Sequence, residues 1–139
     1  MRIAIKIFPV IAFIFFLACK DQGVIVRCPD CVAEEPMKTI LDVKLDSGYS
    51  GYVTIIKVYE GNIEDSIIYS SFKTSKSSTT IPVTINKKYS VTATYYLSDN
   101  YYVAIDSATP RVKFEKSQCA NPCYFIYDNN IDLRLKYTR

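Results

Sequence analysis

The stretch Lys88-Tyr89-Ser90-Val91-Thr92-Ala93-Thr94-Tyr95 decides the fold class of this 139-residue chain. Its residues alternate one by one between two kinds, and every second one is aromatic or aliphatic. Successive side chains of a β-strand point to opposite faces of the sheet, so a period of two places one kind of residue on each face. We therefore predict a strand whose core-facing set is Tyr89, Val91, Ala93 and Tyr95.

Short segments with the same alternation recur on both sides of this strand, separated by turn-forming residues. We predict strands at residues 41–45, 52–59, 67–73 and 81–85 before it and at 101–105, 111–114, 123–127 and 131–137 after it. Pro82 indicates an edge strand, because proline has no N–H to donate to a central ladder. Asp128-Asn129-Asn130 predicts a hairpin between the last two strands, because Asn tolerates positive φ. Seven to nine short strands and almost no 3.6-residue period indicate an all-β chain folded as an antiparallel β-sandwich.

The strand quoted first also carries a family resemblance. It resembles the Tyr-x-Val-x-Ala strand of immunoglobulin-like and fibronectin type III domains, in which the Tyr helps to hold a corner. The resemblance implies a single immunoglobulin-like β-sandwich, and we assign residues 39–139 to it.

Composition narrows the classes of function. The chain has no His, which excludes Ser-His-Asp and Cys-His catalysis and every His-ligated metal site. The acidic pairs Glu34-Glu35 and Glu64-Asp65 lie in predicted loops, where carboxylates usually stay solvated. Asp128, Asn130 and Asp132 have the spacing that opens a calcium loop but lack its Gly and its final Glu. We predict no catalytic residue, no metal site and no cofactor.

The N-terminus has the layout of an export signal. Arg2 and Lys6 precede an uncharged apolar run of 13 residues, 7–19. This run is shorter than the roughly 20 residues that a membrane-spanning helix needs. It ends at Phe16-Leu17-Ala18-Cys19, which resembles the lipobox of bacterial lipoproteins. The resemblance implies a signal peptide at residues 1–18 and a lipidated Cys19 as the mature N-terminus. The alternative is an ordinary signal peptide cut near Ala18, which leaves a protein with an odd thiol.

The residues after the signal peptide bear on partners and location. Removing residues 1–18 leaves 15 basic and 14 acidic residues, and so nearly neutral a chain predicts no nucleic-acid partner. Residues 19–38 contain Gly, Pro and acidic residues without periodicity and are predicted to be a tether. Lys20 after the lipidated Cys resembles the pattern of outer-membrane lipoproteins. We expect a bacterial cell-envelope protein held in the outer membrane by its N-terminal lipid, on the periplasmic or the surface face.

Four cysteines remain beside Cys19, with Cys28 and Cys31 near one end of the chain and Cys119 and Cys123 near the other. Disulfides are the default for an even set outside the cytosol. We expect the N-terminal pair to bond to the C-terminal pair, because closing a loop of some 90 residues removes about 4 to 5 kcal/mol of unfolded-chain entropy. Such bonds would staple the tether to the final hairpin. Two alternatives are a four-thiolate zinc site and a redox CxxC motif, which would make the chain an envelope metal-binding or thiol-redox protein.

Tyrosine is the one residue type in excess, and all 12 follow the signal peptide. Its apolar ring and polar tip suit the recognition of proteins or sugars. Tyr95-Tyr96 and Tyr101-Tyr102 flank one predicted turn, and we take Tyr96, Tyr101 and Tyr102 as a candidate binding surface for a protein or glycan partner. The alternative is that outward rings only stabilise cross-strand pairs. The sequence favours a non-enzymatic binding or structural role and does not identify the ligand.

Overall fold

The computed structural model describes residues 25–46, 53–97 and 100–136. These residues form nine strands, and every predicted segment overlaps one of them. The strands are β1 (Lys38–Lys44), β2 (Thr54–Glu60), β3 (Ile68–Thr74), β4 (Ser78–Thr84), β5 (Tyr89–Leu97), β6 (Asn100–Ala108), β7 (Arg111–Glu115), β8 (Cys123–Tyr127) and β9 (Asn130–Asp132). The prediction of an all-β chain is confirmed.

Seven of the strands build two sheets that pack face to face as a β-sandwich. The first sheet has the order β4-β1-β9 and the second has the order β3-β2-β5-β6, while β7 and β8 form a separate two-stranded sheet. The chain changes sheet between β1 and β2, between β3 and β4 and between β4 and β5, so strands neighbouring in sequence are divided between the layers. Pro82 lies in β4, at an edge of the first sheet, which confirms the edge position that its missing N–H predicts.

The predicted antiparallel β-sandwich is confirmed with one parallel pair of strands in it, because β9 runs parallel to β1 with Val43 opposite Ile131. The hairpin predicted across residues 128–130 does not form, since β8 pairs with β7 and β9 pairs with β1. Asp128 does adopt a positive φ of 57°. That turn sends the chain from one sheet to another, where Ile131 and Leu133 are buried at 1% and 0% exposure.

The core lies between the two sandwich sheets. The first sheet and the residues directly after its strands contribute Leu41, Val43, Leu45, Ile81, Val83, Ile131 and Leu133, and the second contributes Ile56, Val58, Tyr89, Val91, Ala93, Tyr95 and Ala108. The predicted core-facing set of β5 is confirmed, because all four of its members belong to this cluster. Each fully buried aliphatic or aromatic side chain contributes about 1.5 to 3 kcal/mol to folding. Burial of the side chains that alternate toward the core is therefore the main favourable term in folding.

Two tyrosines of β5, in the second sheet, use their hydroxyl groups to form hydrogen bonds with the backbone of the first sheet and of the residues directly after its strands. The Tyr89 hydroxyl accepts a hydrogen bond from the backbone N–H of Thr84 at 3.1 Å. The Tyr95 hydroxyl donates to the carbonyl of Leu133 at 2.8 Å and accepts from the N–H of Asp46 at 3.2 Å. Both rings are buried, so each hydroxyl satisfies polar backbone groups that water does not reach. Burial is also the main reason that the pKa of Tyr95 is raised above its ordinary value.

Among the described residues, a side-chain hydrogen bond joins the two sheets along each long side of the sandwich. On the β3 and β4 side, the Tyr69 hydroxyl donates to the carbonyl of Pro82 at 2.9 Å. On the β6 and β9 side, the carboxylate of Asp106 accepts from the backbone N–H of Asp132 at 2.8 Å. These contacts fix the edges of the two sheets relative to each other.

The sandwich has two distinct ends. We call the end where β1 and β5 begin the base; there the N–H of Ile85 donates to Met37 and the N–H of Asn86 donates to Pro110. We call the opposite end the tip; it carries the connection between Leu97 of β5 and Asn100 of β6. The N-terminal segment enters the sandwich at the base, and the chain leaves for β7 at the base.

Replacing Tyr95 by Phe tests the contact between the sheets. The change removes a buried hydroxyl and leaves the carbonyl of Leu133 without its donor, so we expect a loss of about 1 to 3 kcal/mol in the free energy of unfolding. The measurement is urea unfolding without reductant. The matched control is Tyr96→Phe, because Tyr96 is 51% exposed and should change the midpoint little. An equal effect of the two substitutions would contradict this role of Tyr95.

The difference in the free energy of unfolding between the wild type and Tyr95→Phe should change with pH in a defined direction. Because the folded-state pKa of Tyr95 is raised, the stability that its neutral hydroxyl contributes is complete below the unfolded-state pKa of about 10. It is lost as the pH rises through the folded-state pKa. The difference between the wild type and Tyr95→Phe should therefore be constant at neutral pH and shrink above about pH 10.

Candidate functional site

The N-terminal segment is covalently joined to the two-stranded sheet of β7 and β8. Disulfides connect Cys28 with Cys119 and Cys31 with Cys123, with Cα–Cα distances of 5.5 and 5.6 Å. Val32 adds a short antiparallel bridge, in which its N–H and carbonyl exchange hydrogen bonds with Tyr124 of β8 at 2.9 and 2.8 Å. We call residues 25–32 together with residues 111–127 the stapled arm. It is a unit beside the sandwich, attached at the base.

A carboxylate orders the loop that presents Cys119. Glu115, at the end of β7, accepts hydrogen bonds from the N–H and hydroxyl of Ser117 at 2.8 and 2.9 Å and from the N–H of Gln118 at 3.1 Å. These bonds lower the pKa of Glu115. The Gln118 side chain in turn accepts from the N–H of Val26 at 3.3 Å. Together these bonds hold the loop where Cys119 meets Cys28.

The expected bonding of the N-terminal cysteines to the C-terminal ones is confirmed, and the structure selects one of the two cross-pairings. The partner element differs from the expectation, because the bonds reach the β7 and β8 arm instead of a hairpin of β8 and β9. The two disulfides are close neighbours, since the sulfur atoms of Cys31, Cys119 and Cys123 lie within 4.8 Å of one another. The zinc and redox readings of these cysteines stay predictions.

A second feature is an exposed apolar surface on the outer face of the second sheet. Tyr96 of β5 lies directly opposite Tyr101 of β6, and the two rings are 51% and 70% exposed. Val103 and Ile105 continue the same face of β6, with 48% and 60% exposure. We call these four residues the tyrosine patch. Residues directly opposite each other in an antiparallel pair share a face and are close enough for one ligand to touch both.

The third predicted binding residue lies elsewhere. Tyr102 pairs with Tyr95, whose ring is in the core. It therefore belongs to the inner face of the sheet, and it is 41% exposed because β6 is an edge strand. The structure thus brings Tyr96 and Tyr101 together and separates Tyr102 from them. Sequence reasoning missed Val103 and Ile105, although the alternation of residues 101, 103 and 105 already places them on one face.

The acidic pairs named from the sequence have partners within the protein or lie exposed. Asp132 forms a two-pronged ion pair with Arg134 at 2.6 and 2.8 Å, and this pairing lowers the pKa of Asp132. Asp128 accepts a hydrogen bond from the N–H of Thr109 at 3.0 Å. Asp65 accepts from the N–H of Asn62 at 3.3 Å, as a cap on a short 3-10 turn. These contacts give the three carboxylates structural roles in turns and chain ends.

The predicted signal peptide, residues 1–18, and the predicted lipidation site Cys19 lie outside the described residues. Within the described part of the chain, no helix has the length and apolar character to cross a bilayer. The boundaries of the tether and the domain stay predictions.

Fold and site together define the class of this chain as a β-sandwich with a disulfide-stapled arm. No known protein family, curated protein or solved structure matches it. The immunoglobulin-like resemblance of residues 88–95 therefore stays a prediction beyond the shared sandwich architecture.

The nested disulfides predict a non-additive loss of stability. The two bonds close almost the same loop, with sequence separations of 91 and 92 residues. While one bond remains, the other closes only a ring of about nine residues, which is worth about 2.5 kcal/mol in the chain-entropy model. Removing both bonds should cost about 7 kcal/mol by the same relation.

The test uses paired Ser variants unfolded in guanidinium without reductant. The pair Cys28→Ser, Cys119→Ser and the pair Cys31→Ser, Cys123→Ser should each cost about 2.5 kcal/mol, and the fourfold variant should lose about 2 kcal/mol more than the sum of the two. Simple additivity of the two pairs would show that the bonds do not share one loop.

Proposed function

We propose that the chain is a lipid-anchored β-sandwich protein of a bacterial cell envelope, with a non-enzymatic binding or structural role. The observation that carries this proposal is the pairing of four cysteines into two disulfides. It leaves Cys19 as the odd one of five. Disulfides persist in exported proteins, and a cysteine that carries lipid directly after a signal peptide needs no thiol partner.

The stapled arm sets the distance between the sandwich and the proposed anchor. Eight residues lie between Cys19 and the first disulfide at Cys28. A chain of this length spans about 30 Å at most when fully extended. Anchoring at Cys19 thus keeps the arm and the base of the sandwich near the membrane. Without the staple, the chain before β1 would be more than twice as long, and the sandwich would range further from the bilayer.

The proposed anchor precedes the arm at the base, and the tip is the opposite end of the sandwich. β5 has nine residues, which extend over about 30 Å from base to tip. Tyr96 and Tyr101 lie near its tip end, so these two rings are the part of the tyrosine patch farthest from the base. Aromatic rings exposed in a cross-strand pair suit stacking on a sugar ring or packing against a protein. The proposed role of the patch is to bind such a partner at a distance from the bilayer.

The anchor is tested by Cys19→Ser in the full chain. We expect this variant to leave the membrane fraction, because the thiol that accepts the lipid is gone. Intact mass should show acyl groups on the wild type and none on the variant. Lys20→Ala is the matched control, since it changes the neighbouring residue and should still be recovered with membranes. A Cys19→Ser variant that still fractionates with membranes would count against the anchor.

The binding role is tested on immobilised oligosaccharides with the purified full chain. The double variant Tyr96→Ala, Tyr101→Ala should bind about 5- to 150-fold more weakly, because each stacked ring contributes about 0.5 to 1.5 kcal/mol. Tyr102→Ala is the control, since Tyr102 belongs to the other face and should keep wild-type affinity. Equal binding by all three proteins, or loss of binding in Tyr102→Ala alone, would rule out the patch as the glycan site.

The second candidate function is metal or thiol-redox chemistry on the arm. The proximity of the sulfur atoms of Cys31, Cys119 and Cys123 favours it, because reduction of both disulfides would place thiolates near the spacing of a tetrahedral zinc site. Thiol counting on protein purified without reductant separates the two candidates. Four reactive thiols, or zinc released by a chelator, would replace the binding proposal with this one.

A further inference from the structure

The free edge of β6 differs from the other edges of the sandwich. Of the strands at sheet edges, β4 contains Pro82 and β9 has only three residues. The edge strand β3 carries Lys73, and its pairing with β2 has a register shift at Val58 and Tyr59. Proline, lysine, bulges and shortness are the devices that keep an edge from pairing with another chain. β6 has nine residues, with no Pro, no Lys and no register shift.

The backbone of β6 offers its bonding groups to solvent at alternate residues. Leu97 and Asn100 pair across a connection of only two residues, and the pair that closes such a hairpin is a hydrogen-bonded one. Bonded and non-bonded pairs alternate along an antiparallel ladder. The N–H and carbonyl groups of Tyr101, Val103 and Ile105 therefore point away from β5, toward the free edge.

The side chains of the same three residues lie on the outer face, where they are 70%, 48% and 60% exposed. The one charged residue of β6 is Asp106, and its carboxylate already accepts hydrogen bonds from the N–H groups of Ser107 and Asp132. The segment before Asp106 is thus uncharged, and its edge combines unpaired backbone groups with apolar side chains. It resembles a strand that is built to continue a sheet.

We propose that the edge of β6 binds β6 of a second copy of this chain, antiparallel and about a two-fold axis at Val103. This register places Tyr101 opposite the partner's Ile105, and an aromatic residue opposite a β-branched one is a favourable cross-strand pair. It also places Asn100 opposite the partner's Asp106, so that no two charges of like sign face each other. The strand is complementary to itself, which favours a second copy over an unrelated partner.

The proposed dimer joins the second sheets of the two copies into one sheet of eight strands. Pairing uses the backbone edge and leaves the outer faces exposed, so the tyrosine patches of the two copies become neighbours on one surface. This goes beyond the proposed function and does not depend on it. Cys19→Ser, which removes the proposed lipid, is expected to dimerise like the wild type.

The first test is sedimentation equilibrium of the full chain. Ile105→Lys removes the β-branched residue opposite Tyr101 at both symmetry-related positions, and we expect the dimer dissociation constant to rise by about two- to thirtyfold. Ile68→Lys is the matched control, because Ile68 is also 60% exposed and lies on the opposite edge strand, β3. It should leave the dissociation constant unchanged. A wild type that sediments as a monomer at every concentration, or equal weakening by both variants, would overturn the proposal.

The second test is disulfide capture, and it does not depend on a destabilising change. A hydrogen-bonded antiparallel pair holds its Cα atoms about 5.5 Å apart, which lies within the range that a disulfide spans. Val103→Cys should therefore form a covalent dimer under mild oxidation, whereas Ile68→Cys should form no intermolecular disulfide. Equal rates of cross-linking in the two variants would show that β6 is not the contact.

Discussion

The two tyrosine hydroxyls of β5 are the contacts on which the arrangement of the sandwich depends. Tyr89 reaches the end of β4 and Tyr95 reaches the residues that follow β1 and β9. Apolar burial alone is non-directional and would allow the sheets to slide or rotate. A buried hydroxyl that must satisfy one particular carbonyl or N–H fixes the sheets in one register, because leaving either group unpaired is costly. With one such contact toward each end of β5, the layers are aligned along their whole length.

The aligned sheets have a defined base and tip, and β6 lies at an edge of the second sheet. The base and the tip are defined because β1 and β5 begin at the same end, and the chain enters and leaves the arm there. β6 lies at an edge because the chain departs at Ala108 and returns only as β9 in the other sheet. The bond from Asp106 to Asp132 then covers the inner side of β6 near the base. The remainder of the edge, toward the tip, is the part that carries the tyrosine patch and the proposed dimer contact.

The stapled arm joins the N-terminal segment to the sheet of β7 and β8, which lies outside both sandwich sheets. Its two disulfides, the Val32 bridge and the Glu115 network all hold the N-terminal segment against β8 or the loop before it. An extended tail of this kind is otherwise the least ordered part of a domain. For a protein tethered through its N-terminus, as proposed above, fixing this segment shortens the free chain between the anchor and the sandwich.

Local sequence determined which segments are strands and which side chains face the core, because the period of two is written into each segment and needs no partner to be read. The core-facing set of β5 and the edge position of Pro82 could both be predicted in this way, and loop entropy predicted that the terminal cysteine pairs bond to each other. The partner of β9 and the choice between the two cross-pairings could not. Each depends on residues far apart in the chain, as when Asp42 pairs with Asn130. Only the tertiary structure decides such pairings, because the free energy that selects them comes from burying Ile131 and Leu133 between sheets, and no local turn or propensity contains that term.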